Sequence, residues 1–107
     1  MAGNSSKETL DRALVQTASR GDASKVAELL SQGARVEAKE QGFTPLLVAV
    51  QFGHTEVCQL LLDKGKANIE ETTPFDERTA LILAAIKGHA STVALLLSKG
   101  ARVDARD

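Results

Sequence analysis

The apolar positions of the chain recur in a frame set by glycines. Three segments open and close on glycine, Gly21 to Gly33, Gly53 to Gly65 and Gly88 to Gly100, twelve residues apart each time. Counted from the opening glycine, the fifth position is Val26, Cys58 or Val93, and the eighth and ninth are Leu29-Leu30, Leu61-Leu62 or Leu96-Leu97. Steps of three and four residues fall on one helical face. The closing glycine sits where a helix ends in the left-handed conformation. The spacing therefore predicts helices over 23–32, 55–64 and 90–99.

A second, shorter apolar pattern precedes each opening glycine. It reads Leu14-Val15-Gln16-Thr17-Ala18, Leu46-Leu47-Val48-Ala49-Val50 and Leu81-Ile82-Leu83-Ala84-Ala85. Pro45 suits a first helical position, where its missing N–H is no loss, and Thr44 stands ready to cap. Helices over 6–19, 45–52 and 79–87 follow, and the small residues Ala18, Ala49, Ala84 and Ala85 let neighbours approach closely. The unit is helix, tight turn, helix, and it occurs three times. The joining segments, 33–37, 65–70 and 100–104, are polar and extended, and Gln41-Gly42 or Pro74-Phe75-Asp76 then suggests a hairpin-like finger. The expected core is Leu14, Ala18, Val26, Leu29, Leu30, Leu46, Ala49, Cys58, Leu61, Leu62, Leu81, Ala84, Val93 and Leu96.

Composition narrows the function. At 107 residues the chain is one domain or part of one, and its 43% apolar content is ordinary for a globular protein. Its three Phe and absent Trp and Tyr favour a core of aliphatic residues between short helices. A net charge of −1 gives no electrostatic reason to expect nucleic acid or an anionic membrane. The single Cys excludes an internal disulfide and fits a reducing compartment. No apolar run approaches the ~20 residues that cross a bilayer. Met1-Ala2-Gly3-Asn4-Ser5-Ser6 lacks the layout of a signal peptide. The expectation is a soluble intracellular protein of the cytoplasm or nucleus.

The run Gly42-Phe43-Thr44-Pro45-Leu46, then Ala49, Gly53-His54, Val57, Leu60-Leu61 and Gly65, resembles the ankyrin repeat. The resemblance covers 10–107 in three in-phase copies. The first copy lacks the finger and the Thr-Pro, as terminal repeats do. The third has Thr79-Ala80-Leu81 for Thr-Pro-Leu and Glu77 for the finger glycine, and the histidine usual after that motif is Leu47 or Ile82 here. The resemblance implies an all-α solenoid of antiparallel helix pairs with short fingers, in which each repeat depends on its neighbours. The implied division is a disordered 1–6, a capping repeat over 7–37, repeats over 38–70 and 71–104, and the start of a further, absent repeat at 105–107. It also implies protein binding through a concave surface of fingers and first helices, with no catalysis and no cofactor.

On that pattern Phe43 lies on a finger, Phe52 at the end of a first helix, and Phe75 in the next finger loop. All three aromatics thus fall outside the repeated core set, and exposed aromatics are enriched as binding anchors. The competing reading packs Phe75 under its own loop and Phe43 against the neighbouring finger. Phe52 shares its repeat position with Arg20 and Lys87, which should face solvent. Gln51, Arg78, Ile86 and Arg35 complete the expected partner patch.

Other chemistry finds little support. His54 and His89 share one repeat position and lack the further ligands a metal would need, so they are read as caps of the second helices, with Asp22 in the same slot. Cys58 aligns with Val26 and Val93 and reads as a core residue rather than a nucleophile. Paired carboxylates such as Glu70-Glu71 and Asp76-Glu77 fall in loops, where solvated charge is the ordinary state. The third repeat is as apolar as an interior one, and 100–107 reads as an interior finger begins. The chain is therefore expected to be the N-terminal part of a longer array, or a regulatory or positioning segment of a larger enzyme or channel. An open terminal face of that kind should promote self-association.

Overall fold

The structure, a computed structural model, describes the backbone of residues 2–103 and the side chains of residues 9–103. Six helices follow in order: α1 Ala2–Arg20, α2 Ala23–Ser31, α3 Pro45–Gln51, α4 Thr55–Asp63, α5 Ala80–Lys87 and α6 Ala90–Ser98. Five of them agree with the expected helices to within a residue at each end. The exception is α1, whose helix begins at Ala2, not at residue 6, and so takes in backbone expected to be disordered. The expected start of a further repeat at 105–107 lies outside the described residues.

Local chemistry fixes the helix ends. Thr44 and Thr79 are extended N-caps whose hydroxyls accept from the N–H of Leu47 and Ile82, and Pro45 occupies the first turn. Asp22 caps α2 by accepting from the Lys25 N–H at 3.2 Å. The helices stack in two layers, α1 on α3 on α5 and α2 on α4 on α6, in a body 45 × 27 × 20 Å.

The fingers are the only β pairing among the described residues, as isolated bridges Glu40–Phe43 and Thr72–Thr79. In the first, Gln41 and Gly42 both have positive φ, 56° and 88°, the two-residue turn that matches strand twist. Gly42 is needed twice over, because a Cβ there would stand 2.6 Å from the Pro74 side chain of the next finger. Glu77 holds the equivalent place in the second finger at φ 54°.

The core departs from expectation at its edges. Leu14, Ala18, Val26, Leu29, Leu46, Ala49, Cys58, Leu61, Ala84 and Leu96 are buried as expected. Leu30, Leu62, Leu81 and Val93 are only half-buried, because the ninth position lies at the layer margin and, among the described residues, no unit lies over the third repeat. Val15, Leu47, Val50, Val57, Ala80 and Leu83 are buried instead, together with the hydroxyls of Thr44, Thr79 and Thr92.

Two outcomes test this packing. Leu61 is fully buried between repeats, so Leu61→Ala should lower stability by about 2–5 kcal/mol in chemical denaturation. Glu77→Gly should raise stability by up to about 1 kcal/mol in chemical denaturation, because a left-handed conformation strains a residue with a Cβ.

Candidate functional site

The side of the molecule formed by the fingers and the α1–α3–α5 layer carries a run of three clefts. The first, ≈ 340 Å³, is lined by Asp11, Arg12, Val15, Arg35, Ala38, Lys39 and Glu40. The second, ≈ 380 Å³, lies between α1, α3 and the first finger and includes Gln16, Phe43, Val48 and Gln51. The third, ≈ 170 Å³, is lined by Phe43, Gln51, Thr73, Asp76, Arg78, Leu83 and Lys87. Phe43 and Gln51 belong to both of the last two and so join them.

The expected patch residues divide into two groups. Phe43, Gln51, Arg78 and Lys87 are brought together around one cleft. Phe43 is half-buried against the core, so it packs as well as presents a ring edge. Phe52, Phe75 and Ile86 line none of the three clefts, but they are exposed at 54%, 92% and 55%, so Phe75 does not fold under its own loop. Arg20 is exposed at the end of α1. Arg35 is tied to α1 while its side chain stays exposed. Its backbone N–H donates to Asp11 Oδ1 at 2.8 Å, and its guanidinium contacts Asp11 Oδ2 at 2.9 Å.

Sequence reasoning missed Asp11, a buried carboxylate that pins the first connector to α1. It also missed the Arg12–Glu40 pair, 3.1 Å, which ties α1 to the finger. Asp11 and Arg12 have no like-charged counterparts at the same positions of the second unit, where Phe43 and Thr44 stand, so no periodic signal marked them. The lining charges are largely paired, Asp11 with Arg35, Arg12 with Glu40 and Arg78 with Asp76. Lys39 and Lys87 are left as surplus positive charge along the clefts.

The histidine side chains do not cap the second helices as expected. Each stands at an N-cap, yet neither makes a capping bond with its side chain. Instead His54 Nε2 lies 2.9 Å from the Ser19 carbonyl oxygen, and His89 Nε2 lies 3.0 Å from that of Gln51. A carbonyl oxygen only accepts, so each ring holds its proton on Nε2 and donates across to the preceding repeat. Beside them, Thr55 and Thr92 join hydroxyls at 2.8 Å between α4 and α6.

Cys58 is fully buried, and burial pushes its thiol up to about 12. At neutral pH it stays protonated and is no nucleophile. Among the described residues no group of three His, Cys, Asp or Glu could hold a metal, and no helix is long and apolar enough to cross a membrane. Cys58 should resist thiol reagents in the native protein and label promptly in denaturant; rapid native labelling, followed by absorbance, would show an open site.

Comparison with known proteins agrees with the geometry. The ankyrin-repeat family model matches residues 14–107 in three copies. The chain is 40% identical over 96 residues to the human ankyrin repeat and KH domain-containing protein 1, covering 89% of this chain and 4% of that protein. It is 38% identical to the ankyrin repeat, SAM and basic leucine zipper domain-containing protein 1 of Notamacropus eugenii, over 92% of this chain and 22% of that one. A Caenorhabditis elegans homolog of transient receptor potential cation channel subfamily A member 1 is 44% identical over 74% of this chain, which spans 6% of it. The chain thus spans less than a quarter of the length of each of these relatives. With helix pairs, fingers, glycine turns and sequence in agreement, the chain belongs to the ankyrin-repeat family.

Proposed function

We propose that this chain is a non-catalytic scaffold that holds a partner protein along the finger side, through the clefts joined by Phe43 and Gln51. The observation that carries the reading is the clustering of Phe43, Gln51, Arg78 and Lys87 on one cleft, with Phe52, Phe75 and Ile86 exposed nearby in sequence. Arg20 and Arg35 extend the patch toward α1, Arg35 chiefly by holding the first connector in place. Membership of a family built for protein interaction supports the same reading.

The surplus charge of Lys39 and Lys87 suits a partner segment with acidic groups beside its apolar anchors. The site is protein-directed, with no cofactor, nucleic acid or membrane insertion in its mechanism, and it operates inside the cell. The apolar face left by the third repeat supports a further part of the reading, that this unit is an interior one of a longer array. In the isolated chain that face would let copies pair at high concentration. The likeness to a channel homolog gives a second reading, in which the repeats position the rest of a larger protein.

Capture with the intact chain, followed by calorimetry on the partner recovered, tests the proposal. Phe75→Ala, Phe52→Ala and Arg78→Ala should include one or two changes that weaken binding by at least about 1 kcal/mol with little change in the melt. Affinity should also fall as salt rises, since exposed charge is screened. If Gln59→Ala, on the opposite face of α4, weakens binding more than these, the site is on the wrong side.

A further inference from the structure

The chain has two prolines, and a threonine precedes each: Thr44-Pro45 and Thr73-Pro74. The two threonines are placed for different work. Thr44 is 1% exposed and commits its hydroxyl to the Leu47 N–H at the start of α3. Thr73 sits in the second finger, where its hydroxyl accepts from the Arg78 N–H at 3.0 Å. It lines the ≈ 170 Å³ cleft together with Arg78 and Lys87. Lys87 makes no ion pair among the described residues. Arg78 pairs with Asp76 at 3.2 Å, an exposed pair that contributes little.

We infer that Thr73 is a phosphorylation site for a proline-directed protein kinase, and that Arg78 and Lys87 hold its phosphate in this cleft. The γ-phosphoryl of a nucleoside triphosphate passes to Thr73 Oγ1. The new P–O bond forms as the bond to the β-phosphate breaks, the hydroxyl proton goes to the kinase's base, and the nucleoside diphosphate departs. The ester carries close to two negative charges and three acceptor oxygens, at the spot toward which the Arg78 N–H already points. Such a dianion outcompetes a solvent-exposed carboxylate, so the Arg78 guanidinium turns from Asp76 to the phosphate and Lys87 meets the remaining charge.

Thr73 is 6% exposed, so the kinase acts on the opened finger. Opening is local. The finger is closed by the Thr72–Thr79 bridge and the two Thr73–Arg78 hydrogen bonds, and Pro74, Phe75, Asp76 and Glu77 beyond them are exposed. A residue before proline is kept out of the helical region, so the freed Thr73 stays extended, as a kinase's substrate groove requires. Once seated, the phosphate fills the cleft and neutralises its two cations, shutting it to an acidic partner segment. That consequence alone rests on the partner site proposed above.

The whole chain and a peptide of residues 68–80 are treated with a purified proline-directed kinase and ATP, and the sites are mapped by mass spectrometry. A kinase that modifies the peptide should place one phosphate on the chain, at Thr73. Thr73→Ser should keep that phosphate and Thr73→Ala should lose it. A peptide or a chain left unmodified, or a phosphate on Thr72 instead, would overturn the site. In phosphorus NMR the seated phosphate should titrate at lower pH than that of the peptide, because neighbouring cations favour the dianion. Arg78→Ala and Lys87→Ala should each move it back toward the peptide, while Lys99→Ala, in the other layer, should not. A chain phosphate that titrates as the peptide's does would overturn the seat. Against the partner recovered through the cleft, phosphorylation should weaken binding at least about tenfold. Unchanged affinity while Arg78→Ala still weakens binding would overturn the closure alone; unchanged affinity with both would overturn the partner site as well.

Discussion

A helix pair of this size cannot bury its own apolar face, and everything else in the molecule follows from that constraint. The clearest measure is to compare one repeat position with and without a neighbour beyond it. Leu46 is buried and Leu81 half-buried; Cys58 is buried and Val93 half-buried; Val50 is buried and Ala85 exposed. The chemistry at these positions is similar. What changes is whether another repeat follows among the described residues. Stability is thus held at the interfaces rather than within the units, and the hydrogen bonds of His54, His89 and the Thr55–Thr92 pair sit there to orient one unit on the next.

The second helices turn a different side to each neighbour. Positions one and four after the turn glycine look back to the preceding repeat, as His54, Val57, His89 and Thr92 do. Position five looks forward, as Val26 and Cys58 do. The first repeat has no unit before it among the described residues, and its backward positions are the charged Asp22 and Lys25. The third repeat has no unit after it among the described residues, yet its forward positions stay apolar. The polarity of the array is therefore written asymmetrically into the two ends.

This explains what was legible in the sequence. Helices and turns could be read because glycine and the Leu-Leu pair recur at fixed spacing, a signal that needs no knowledge of the neighbours. The core was read less completely, since a single helical face was drawn through positions five, eight and nine. Position nine lies at the margin, and position four was invisible because Lys25, Val57 and Thr92 share no chemistry. Its burial depends on which repeat precedes it. The histidines were placed correctly at N-caps and given the wrong partner for a related reason: a cap is a local feature, whereas their acceptors are 35 and 38 residues away. Arg35 was placed in the partner patch without its tie to Asp11, which spans 24 residues and so leaves no local signal.

Such a division of labour bears on how the scaffold can vary. Residues that join repeats face along the stack, and residues that line the clefts face across it, so most positions serve one purpose. Phe75, 92% exposed, can change without disturbing packing, while Leu61 can change nothing but packing. Phe43 is the exception. Its backbone closes the finger through reciprocal bonds with Glu40, each 3.0 Å, and its ring packs on the core while joining two clefts. Loss of that ring would loosen the finger and empty the cleft wall together. On the proposed reading, affinity changes at Phe43 therefore mix two effects, and the exposed Phe52 and Phe75 are where recognition can be separated from folding.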